Sequence, residues 1–505
     1  MYIAPLGNDN NPGTIEEPLA TLQKAQELMN AGDTVLIRGG TYTITESNIS
    51  KVENSLFACI TYLDKSGTSG HLIHYMAYPG EQPVFDFNAV KPANQRVVGI
   101  YVKGEYIHIK GLEMTGIQVT ITTHTESYCI YSKGSHNIFE QLSLHDNKGT
   151  GIRHYKGGYN LFLNCDAYRN HDDVSENQKG GNTDGFGCHP ASGGINNVFR
   201  GCRSWFNSDD GYDCIRAQEP VIFENCWAFY NGYSPTFISL GDGNGFKAGG
   251  YASDAAVDLP DPIPSHTVYL CLAVRNKANG FYSNHHLTGN TWLSNSAYRN
   301  SVNFNMVNRE STTSTNLWVD GYDHVLKNNL GYQARSKETD YINAPLCTLE
   351  NNYFNLAVMV SGDDFISLDE NLLISPRNAD GSLPDVDFMR LTASSDLIDK
   401  GIYTGIRYKG SAPDLGAFES DYPVKIKQVK SNVATLIISP NPVIDHIDIN
   451  STDYKEIEIM DLTGKVYHLY IQSGRIDVSW LHAGIYLIRL TMTNNIVLTG
   501  KFVKQ

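Results

Sequence analysis

The sequence predicts an all-β protein: a right-handed parallel β-helix with an N-terminal cap helix, followed by a small C-terminal β-sandwich. A phrase that ends in asparagine recurs along the chain, and its closing residues are Asn147, Asn170, Asn207, Asn231, Asn276 and Asn300. Spacings of 23 and 24 residues fit a bare solenoid coil, and spacings of 37 and 45 residues fit a coil that carries a loop. Segments such as Val97 to Val102 and Tyr106 to Ile109 are β-branched or aromatic and short, which is typical of strands. We expect the asparagines to build turns rather than to take part in chemistry.

The two ends of the solenoid are predicted to differ from its middle. An apolar stripe with helical spacing consists of Leu19, Leu22, Ala25, Leu28 and Met29. A short amphipathic helix at this place would cover the strand edges at the open end of the solenoid. The less regular stretch from Leu368 to Phe418 is interpreted as the terminal coils and cap. We predict a β-helix domain over residues 1–424, a charged linker over 425–435 and the β-sandwich over 436–505.

The composition limits the partners of the chain. Its 505 residues include 39 basic and 54 acidic side chains, a net charge of −15, which argues against nucleic acid or an anionic membrane as a partner. An acidic polysaccharide stays possible if a cation and a few local basic residues bind it. No run of about 18 apolar residues occurs, so we expect no membrane span, and we expect a monomer. An exported protein whose signal peptide has been removed ahead of Met1 is favoured over a cytoplasmic one.

The nine cysteines are predicted to lie in the core rather than in disulfides. Four of them, Cys165, Cys202, Cys226 and Cys271, occupy the same place in the repeated phrase. Stacked places in a coil usually hold a ladder of small buried side chains, and free cysteine packs as a small hydrophobic group. No CxxC pair indicates a zinc site.

A second pattern brings acidic residues and one lysine into register. Four stretches read Asp or Asn, then Gly, then an aromatic residue: Asp184 to Gly187, Asp210 to Asp213, Asn244 to Lys247, and Asn279 to Tyr282. On successive coils about 4.8 Å apart, they would stack the first residue of each stretch in one column and the last in another. Carboxylates packed so closely repel each other unless a cation holds them, and oxygen ligands suit calcium. The predicted calcium ligands are Asp184, Asp209, Asp210 and Asp213.

Lys247 is the predicted catalytic residue. It falls one coil beyond Asp213, where a divalent cation would push its amine toward the neutral, proton-accepting form. Candidate substrate-binding residues are Arg153, Arg216, Tyr282, Arg275 and His285. Arg153 shares the column and could bind a carboxylate, and Tyr282 could stack on a sugar ring. For all five, ordinary surface pairing or packing is the alternative.

The C-terminal segment resembles the C-terminal sorting domains of proteins exported through the Bacteroidetes type IX secretion route. The similarity is carried by Pro440-Asn441-Pro442, Asp461-Leu462-Thr463-Gly464-Lys465, Ala483-Gly484-Ile485-Tyr486 and Lys501-Phe502-Val503-Lys504. It implies a secreted or surface-attached protein.

The body of the chain resembles polysaccharide lyase family 9, whose members are right-handed parallel β-helix enzymes that cleave pectic polysaccharides. The resemblance is specific across Asp184 to Gly250. In that family four aspartates at these places hold calcium and the lysine is the Brønsted base, and all five positions are filled here by the expected residue types. The resemblance therefore implies calcium-dependent β-elimination on an acidic pectic backbone that contains galacturonate.

Several functions stay open at the level of sequence. Rhamnogalacturonan I alternates galacturonate with neutral rhamnose, and the few basic residues near the predicted site favour it slightly over polygalacturonate, the substrate of a pectate lyase. A glycoside hydrolase on the same fold would use paired carboxylates and leave Lys247 without a role. A non-catalytic glycan-binding β-helix would tolerate Lys247→Ala, and fold alone does not exclude it.

Overall fold

A computed structural model describes residues 1–422, 436–449, 453–461, 464–469, 474–494 and 496–505. The chain divides into two compact units, Met1–Pro423 and Val424–Gln505. The predicted linker of residues 425–435 lies outside the described residues, as do Leu462 and Thr463 of the C-terminal phrases.

The first unit is a parallel β-helix in which most coils add one strand to each of three sheets. In the described part of the chain these sheets contain 12, 10 and 11 strands, and we call them the first, second and third sheets. Neighbouring strands run parallel throughout, except that Lys51–Glu53 pairs antiparallel with Phe57–Leu63 at the end of the third sheet. The predicted fold class is confirmed.

Within each sheet of the first unit, neighbouring strands follow one another in chain order. The first sheet contains Tyr2–Ile3, Thr34–Ile37, Ile73–Ala77, Ile107–Lys110, Ile138–Glu140, Leu161–Leu163, Asn197–Arg200, Val221–Glu224, Thr267–Tyr269, Thr291–Leu293, Val325–Lys327 and Thr348–Glu350. The second contains Gly40–Thr45, Pro83–Ala89, Glu113–Thr115, Ser143–His145, Asp166–Tyr168, Arg203–Trp205, Trp227–Phe229, Leu272–Val274, Ser296–Tyr298 and Leu330–Tyr332. The third contains Lys51–Glu53, Phe57–Leu63, Arg96–Val102, Tyr128–Ser132, Thr150–Lys156, Phe186–Pro190, Tyr212–Asp213, Phe246–Lys247, Asn279–Tyr282, Val302–Asn305 and Lys337–Asp340.

The repeated Gly-aromatic pair builds the interior of the third sheet. The inward rings form a column of Phe186, Tyr212, Phe246, Phe281 and Phe304, with successive centroids 5.2, 4.7, 5.2 and 5.0 Å apart. The preceding glycine is required by a close approach, since a Cβ on Gly245 would lie 2.6 Å from the carbonyl oxygen of Gly280. Because side chains alternate along a strand, the residue after each ring points outward.

The recurring asparagines form a buried ladder at the turn between the second and third sheets. The side-chain amide of Asn147 donates to Asn170 Oδ1 at 2.9 Å, and the pattern continues to Asn276, which donates to Asn300 Oδ1 at 2.9 Å. These side chains satisfy the polar backbone of the turns inside the solenoid. Their predicted structural role is confirmed.

Eight of the nine cysteines are buried, as predicted, and Cys347 is half-buried. All nine lie within the described residues and are free, and the four that share a place in the repeat are fully buried. The residues that follow them in the same ladder are Asn295, Asn329 and Asn352.

A helix covers the N-terminal end of the solenoid. It spans Leu22–Leu28, and the hydroxyl of Thr21 caps it by accepting from Lys24 N–H at 3.0 Å. The predicted apolar stripe is buried except for Leu28, which is 43% exposed because the short helix turns that residue away from the coils. Short 3₁₀ helices span Glu46–Asn48, Ala256–Asp258, Ala344–Leu346, Gly362–Asp364 and Glu370–Ile374.

The segment from Leu368 to Phe418 forms no further coils, so the prediction of terminal coils there is wrong. We call it the strap, because it runs back over the outer face of the second sheet, where Phe388 and Leu391 are buried. The guanidinium of Arg377 donates to Asp166 at 2.6 Å, on the outer face of a strand midway along the second sheet. The strap covers outward apolar residues of the second sheet that would otherwise face water.

The second unit consists of two small antiparallel sheets around a common core, as expected for a β-sandwich. One contains Ile438–Ser439, His446–Ile449 and Arg475–Asp477. The other contains Tyr454–Asp461, Val466–Leu469, Gly484–Met492 and Val497–Lys504. Side chains of both sheets, among them Ile447 and Ile488, pack together. Among the residues described in either unit, no helix is long and apolar enough to cross a membrane.

A second buried ladder, at turns that precede strands of the first sheet, includes His266, Asn290 and His324 in succession. His266 Nδ1 accepts from Val221 N–H at 3.1 Å, and His324 Nδ1 accepts from Asn290 N–H at 2.9 Å. Both rings are fully buried. Burial lowers the pKa of His324 to about 3, so its ring is neutral in the folded chain.

We expect His324→Asn to make the fold less sensitive to acid. An unfolded histidine has a pKa of about 6.5, so the unfolded chain binds more protons than the folded one below that pH. The stability that His324 contributes is therefore complete above about pH 6.5 and is lost as the pH falls toward 3, by up to about 1.4 kcal/mol per unit. Asparagine keeps an acceptor for Asn290 and does not titrate. Melting temperatures measured from about pH 7 to about pH 4 should fall less steeply in the variant.

The matched control is His136→Asn, since His136 stacks between Tyr106 and Tyr159 on an outer turn. A difference in melting temperature between His324→Asn and the parent that stays constant with pH would contradict the expectation.

Candidate functional site

The third sheet carries the predicted site in the predicted register. One column of residues on its outer face consists of Arg153, Gly187, Asp213, Lys247 and Tyr282. We call it the outer column. Asp184 and Asp210 lie on the two coils before Lys247, each two residues ahead of an inward ring, so they stack on one another as the sequence predicts.

Backbone and side-chain amides hold one oxygen of each carboxylate. Asp184 Oδ1 accepts from Asp210 N–H at 3.1 Å, and Asp213 Oδ1 accepts from Ile215 N–H at 2.6 Å. Asp210 Oδ1 accepts from both the backbone and the side chain of Asn244, at 2.7 and 2.8 Å. One ligand oxygen from each of the three aspartates lies within 4.8 Å of the others. We call these three residues the acidic triad.

Asp209 lies beside the triad but outside this group. Its Oδ1 accepts from the backbone N–H of Asp242 at 3.0 Å, across to the next coil. Burial, together with the charge of Asp210, raises the pKa of Asp209 well above its usual range. The structure thus brings three of the four predicted ligands into one cluster and leaves the fourth at its edge.

Lys247 is the amine at the centre of the site. Its Nζ lies 3.0 Å from Asp210 Oδ2 and 3.1 Å from Asp213 Oδ2, and its side chain is 12% exposed. Burial opposes the charge of this amine, but the aspartates, chiefly Asp210 and Asp213, outweigh burial and raise the pKa of Lys247 well above its usual value. Burial and the neighbouring carboxylates also raise the pKa of Asp184.

The triad fits a hard divalent cation. Asp210 Oδ2 is buried and has no hydrogen-bond donor among the described residues, because the nearby Lys247 Nζ approaches it outside hydrogen-bonding geometry. The donor set consists entirely of carboxylate oxygens, which suits calcium. A cation held there would also relieve the repulsion between three buried carboxylates. The site would then combine a cation with one amine able to exchange a proton.

One predicted arginine, Arg153, belongs to the outer column and another, Arg216, lies beside it, and each is paired with a carboxylate. Arg153 donates to Glu126 at 2.9 Å. Arg216 forms a bidentate ion pair with Asp254, with hydrogen bonds of 2.6 and 2.7 Å. A cavity of about 320 Å³ lies between the two arginines, and His189 lines it. The structure therefore brings Arg153 and Arg216 to the same groove beside Asp213.

Arg275 belongs to a different face of the solenoid. It follows the second-sheet strand Leu272–Val274, pairs with Glu370 at 3.2 Å and lies 4.2 Å from the ring centroid of Phe237. The structure does not bring it to Lys247, because the turn before Asn276 directs it toward the strap.

Tyr282 and His285 lie on the other side of Lys247 from Arg153. The hydroxyl of Tyr282 donates to His285 Nε2 at 3.0 Å, and His285 Nδ1 donates to the carbonyl oxygen of Leu317. Next to this pair lies Trp318, which is 61% exposed and which sequence reasoning missed. Its signal in the sequence is faint: a lone tryptophan in a loop of Ser, Thr and Asn residues.

The chain matches two known families. Residues 1–329 match the family described as "Pel9A-like, right handed beta helix region", and residues 437–505 match the family described as "Secretion system C-terminal sorting domain". Pectate lyase L of Dickeya dadantii (strain 3937) is 35% identical over 425 residues, which are 83% of this chain and 90% of that protein.

Two solved structures are similar over most of their length. A rhamnogalacturonan lyase is 44% identical with a TM-score of 0.75, covering 78% of this chain and 96% of its own. Pectate lyase Pel9A is 32% identical with a TM-score of 0.67, covering 83% of this chain and 97% of its own.

We expect Asp210→Asn to weaken the binding of a divalent cation at least about tenfold, because the number of charged ligands sets the affinity of such sites. Isothermal titration of calcium into the full chain measures this. The matched control is Asp254→Asn, which removes a carboxylate that pairs with Arg216 and lies outside the triad. Equal affinities in the two variants would count against a cation site at the triad.

Proposed function

Because the chain belongs to the Pel9A-like right-handed β-helix family of polysaccharide lyases, we propose that it cleaves a galacturonate-containing pectin backbone by calcium-dependent β-elimination. The observation that carries the proposal is the position of Lys247, whose amine lies within 3.1 Å of two triad carboxylates. A hydrolase would use paired carboxylates and would give this buried lysine no role.

The reaction needs a base close to a neutralised carboxylate. The base removes the proton at C5 of galacturonate, the electron pair forms the C4–C5 double bond, and the bond from C4 to the glycosidic oxygen breaks. That oxygen leaves with the neighbouring sugar and takes up a proton from water. We assign the base to Lys247 Nζ and the cation ligands to Asp184, Asp210 and Asp213, with Asp209 next to them. A bound calcium ion would supply positive charge that neutralises the substrate carboxylate and opposes the raised pKa of Lys247.

Lys247 must be unprotonated to accept the C5 proton. Its carboxylate neighbours favour the protonated form, so the amine can act only when positive charge balances theirs. Once protonated, the amine is stabilised by Asp210 and Asp213 at 3.0 and 3.1 Å. The same aspartates thus favour the product state of the proton transfer.

Arg153 is the proposed contact for a substrate carboxylate. It stands in the outer column two coils before Asp213, with Gly187 between them. Its planar guanidinium can bind a carboxylate through two hydrogen bonds. Arg216 lines the same cavity and is proposed to contact the substrate from the other wall.

Rhamnogalacturonan I is the proposed backbone, with polygalacturonate as the alternative. Arg153 and Arg216 are each already paired with a carboxylate, so the groove suits a chain that carries charge on alternate sugars better than one charged at every sugar. The similarity to a rhamnogalacturonan lyase, at 44% identity, supports the same choice.

The C-terminal unit is proposed to direct the protein out of the cell. Residues 437–505 match a secretion system sorting domain, and an extracellular or surface location gives the enzyme access to a polysaccharide too large to enter a cell. We assign residues 1–424 to catalysis, 425–435 to a linker and 436–505 to sorting.

Lys247→Arg is expected to lower kcat by about a hundredfold or more, because arginine keeps the positive charge but stays protonated and cannot act as a base. The measurement follows the ultraviolet absorbance of unsaturated uronides from purified rhamnogalacturonan I and, in parallel, from polygalacturonate. Each substrate is tested with calcium and with EDTA.

The control is Lys337→Arg, since Lys337 pairs with Asp340 away from the triad. A calcium-dependent rise in absorbance that Lys247→Arg abolishes supports the proposal, and the substrate that gives it identifies the backbone. Full activity in Lys247→Arg, or reducing sugar without unsaturated product, would refute it.

A further inference from the structure

An exposed tryptophan stands beside the outer column, beyond Lys247. The ring of Trp318 meets the imidazole of His285 edge-on, with centroids 4.4 Å apart. His285 in turn accepts a hydrogen bond from Tyr282, which follows Lys247 in the column. The three rings form one aromatic surface that begins a single coil from the proposed base.

The loop that carries Trp318 is held in place by the buried guanidinium of Arg309. Arg309 is 2% exposed, and its guanidinium donates to the carbonyl oxygens of Ser314 at 2.6 Å and Thr312 at 3.2 Å. It also donates to the carbonyl oxygen of Asp254 at 2.9 Å, which ties this loop to the one that holds Arg216. A large exposed ring on such an ordered loop loses little further freedom when a ligand binds.

The exposed charges on the loop that carries Trp318 favour an uncharged ligand. Glu310 and Asp320 are exposed on the same loop. The guanidinium of Arg309 is occupied by carbonyl groups, and Lys337 and Asp340 farther along the sheet pair with each other at 3.0 Å. A sugar carboxylate would be repelled by the two acids, whereas the C–H face of a neutral pyranose can pack on the indole.

We propose that Trp318, His285 and Tyr282 form a subsite for an uncharged pyranose ring of the substrate, on the opposite side of Lys247 from Arg153. The assignment rests on the proposed function and deepens it. The cleft is then asymmetric, with a carboxylate-binding arginine at one end and a neutral aromatic platform at the other. A backbone that alternates uronate with neutral sugar matches this arrangement.

Steady-state kinetics of the full chain on rhamnogalacturonan I test the subsite. Trp318→Ala is expected to raise KM about tenfold and to leave kcat within about twofold, because stacking contributes alike to substrate and transition-state binding. Trp318→Phe keeps an aromatic face and should restore most of the affinity. The control is Trp480→Ala, a tryptophan of the second unit that is 44% exposed, and its KM should equal that of the parent.

A binding measurement separates failure of the subsite from failure of the proposed function. Rhamnogalacturonan oligosaccharides titrated into Lys247→Ala should change the tryptophan fluorescence, and this change should vanish when Trp318→Phe is added. The readout needs no turnover, so it tests the subsite even if the parent releases no unsaturated product. Unchanged KM and fluorescence response in Trp318→Ala would overturn the subsite. An equal loss of affinity for galacturonate oligomers would overturn its preference for an uncharged ring.

Discussion

The parallel register of the third sheet is the constraint on which the rest of the structure depends. Backbone hydrogen bonds between parallel strands set the distance between successive coils, and inward rings such as Tyr212 and Phe246 stack within that spacing, at 4.7 Å. The same register places three buried carboxylates within 4.8 Å of one another, an arrangement that their repulsion opposes. Amide groups offset part of this cost, since each aspartate of the triad has one oxygen held by a backbone N–H. The packing of the core thus maintains a cluster that charge alone would disperse.

The solenoid can carry such a cluster because its stability is distributed over ladders along every turn. Asparagine, cysteine or histidine recurs at the same place on successive coils, and the asparagine and histidine side chains accept hydrogen bonds from the backbone of the preceding coil. Stability then comes mainly from contacts between adjacent coils. A costly polar site on three coils therefore weakens the scaffold locally, while the coils on either side keep their own ladders.

The two ends of the cleft differ in chemistry, and a loop supplies one of them. On one side of Lys247, Arg153 stands in the column itself, while on the other the buried Arg309 joins two loops and orders the segment that presents Trp318. The proposed base therefore lies between a basic end and a neutral aromatic end. This difference in chemistry along one sheet is what relates the fold to the alternating substrate that we propose.

The sequence by itself determined the β-helix, its asparagine and cysteine ladders, and the alignment of Asp213 with Lys247, because these follow from a motif repeated at the same point of each coil. It could not determine that Asp209 bonds to the neighbouring coil, that Arg275 faces the strap, or that the strap itself covers the second sheet. Nor did it reveal Trp318, whose position depends on a loop held from a distance. Period and register are local properties of a repeat. Loop and strap positions arise from contacts between segments far apart in the chain, and only the tertiary structure decides those.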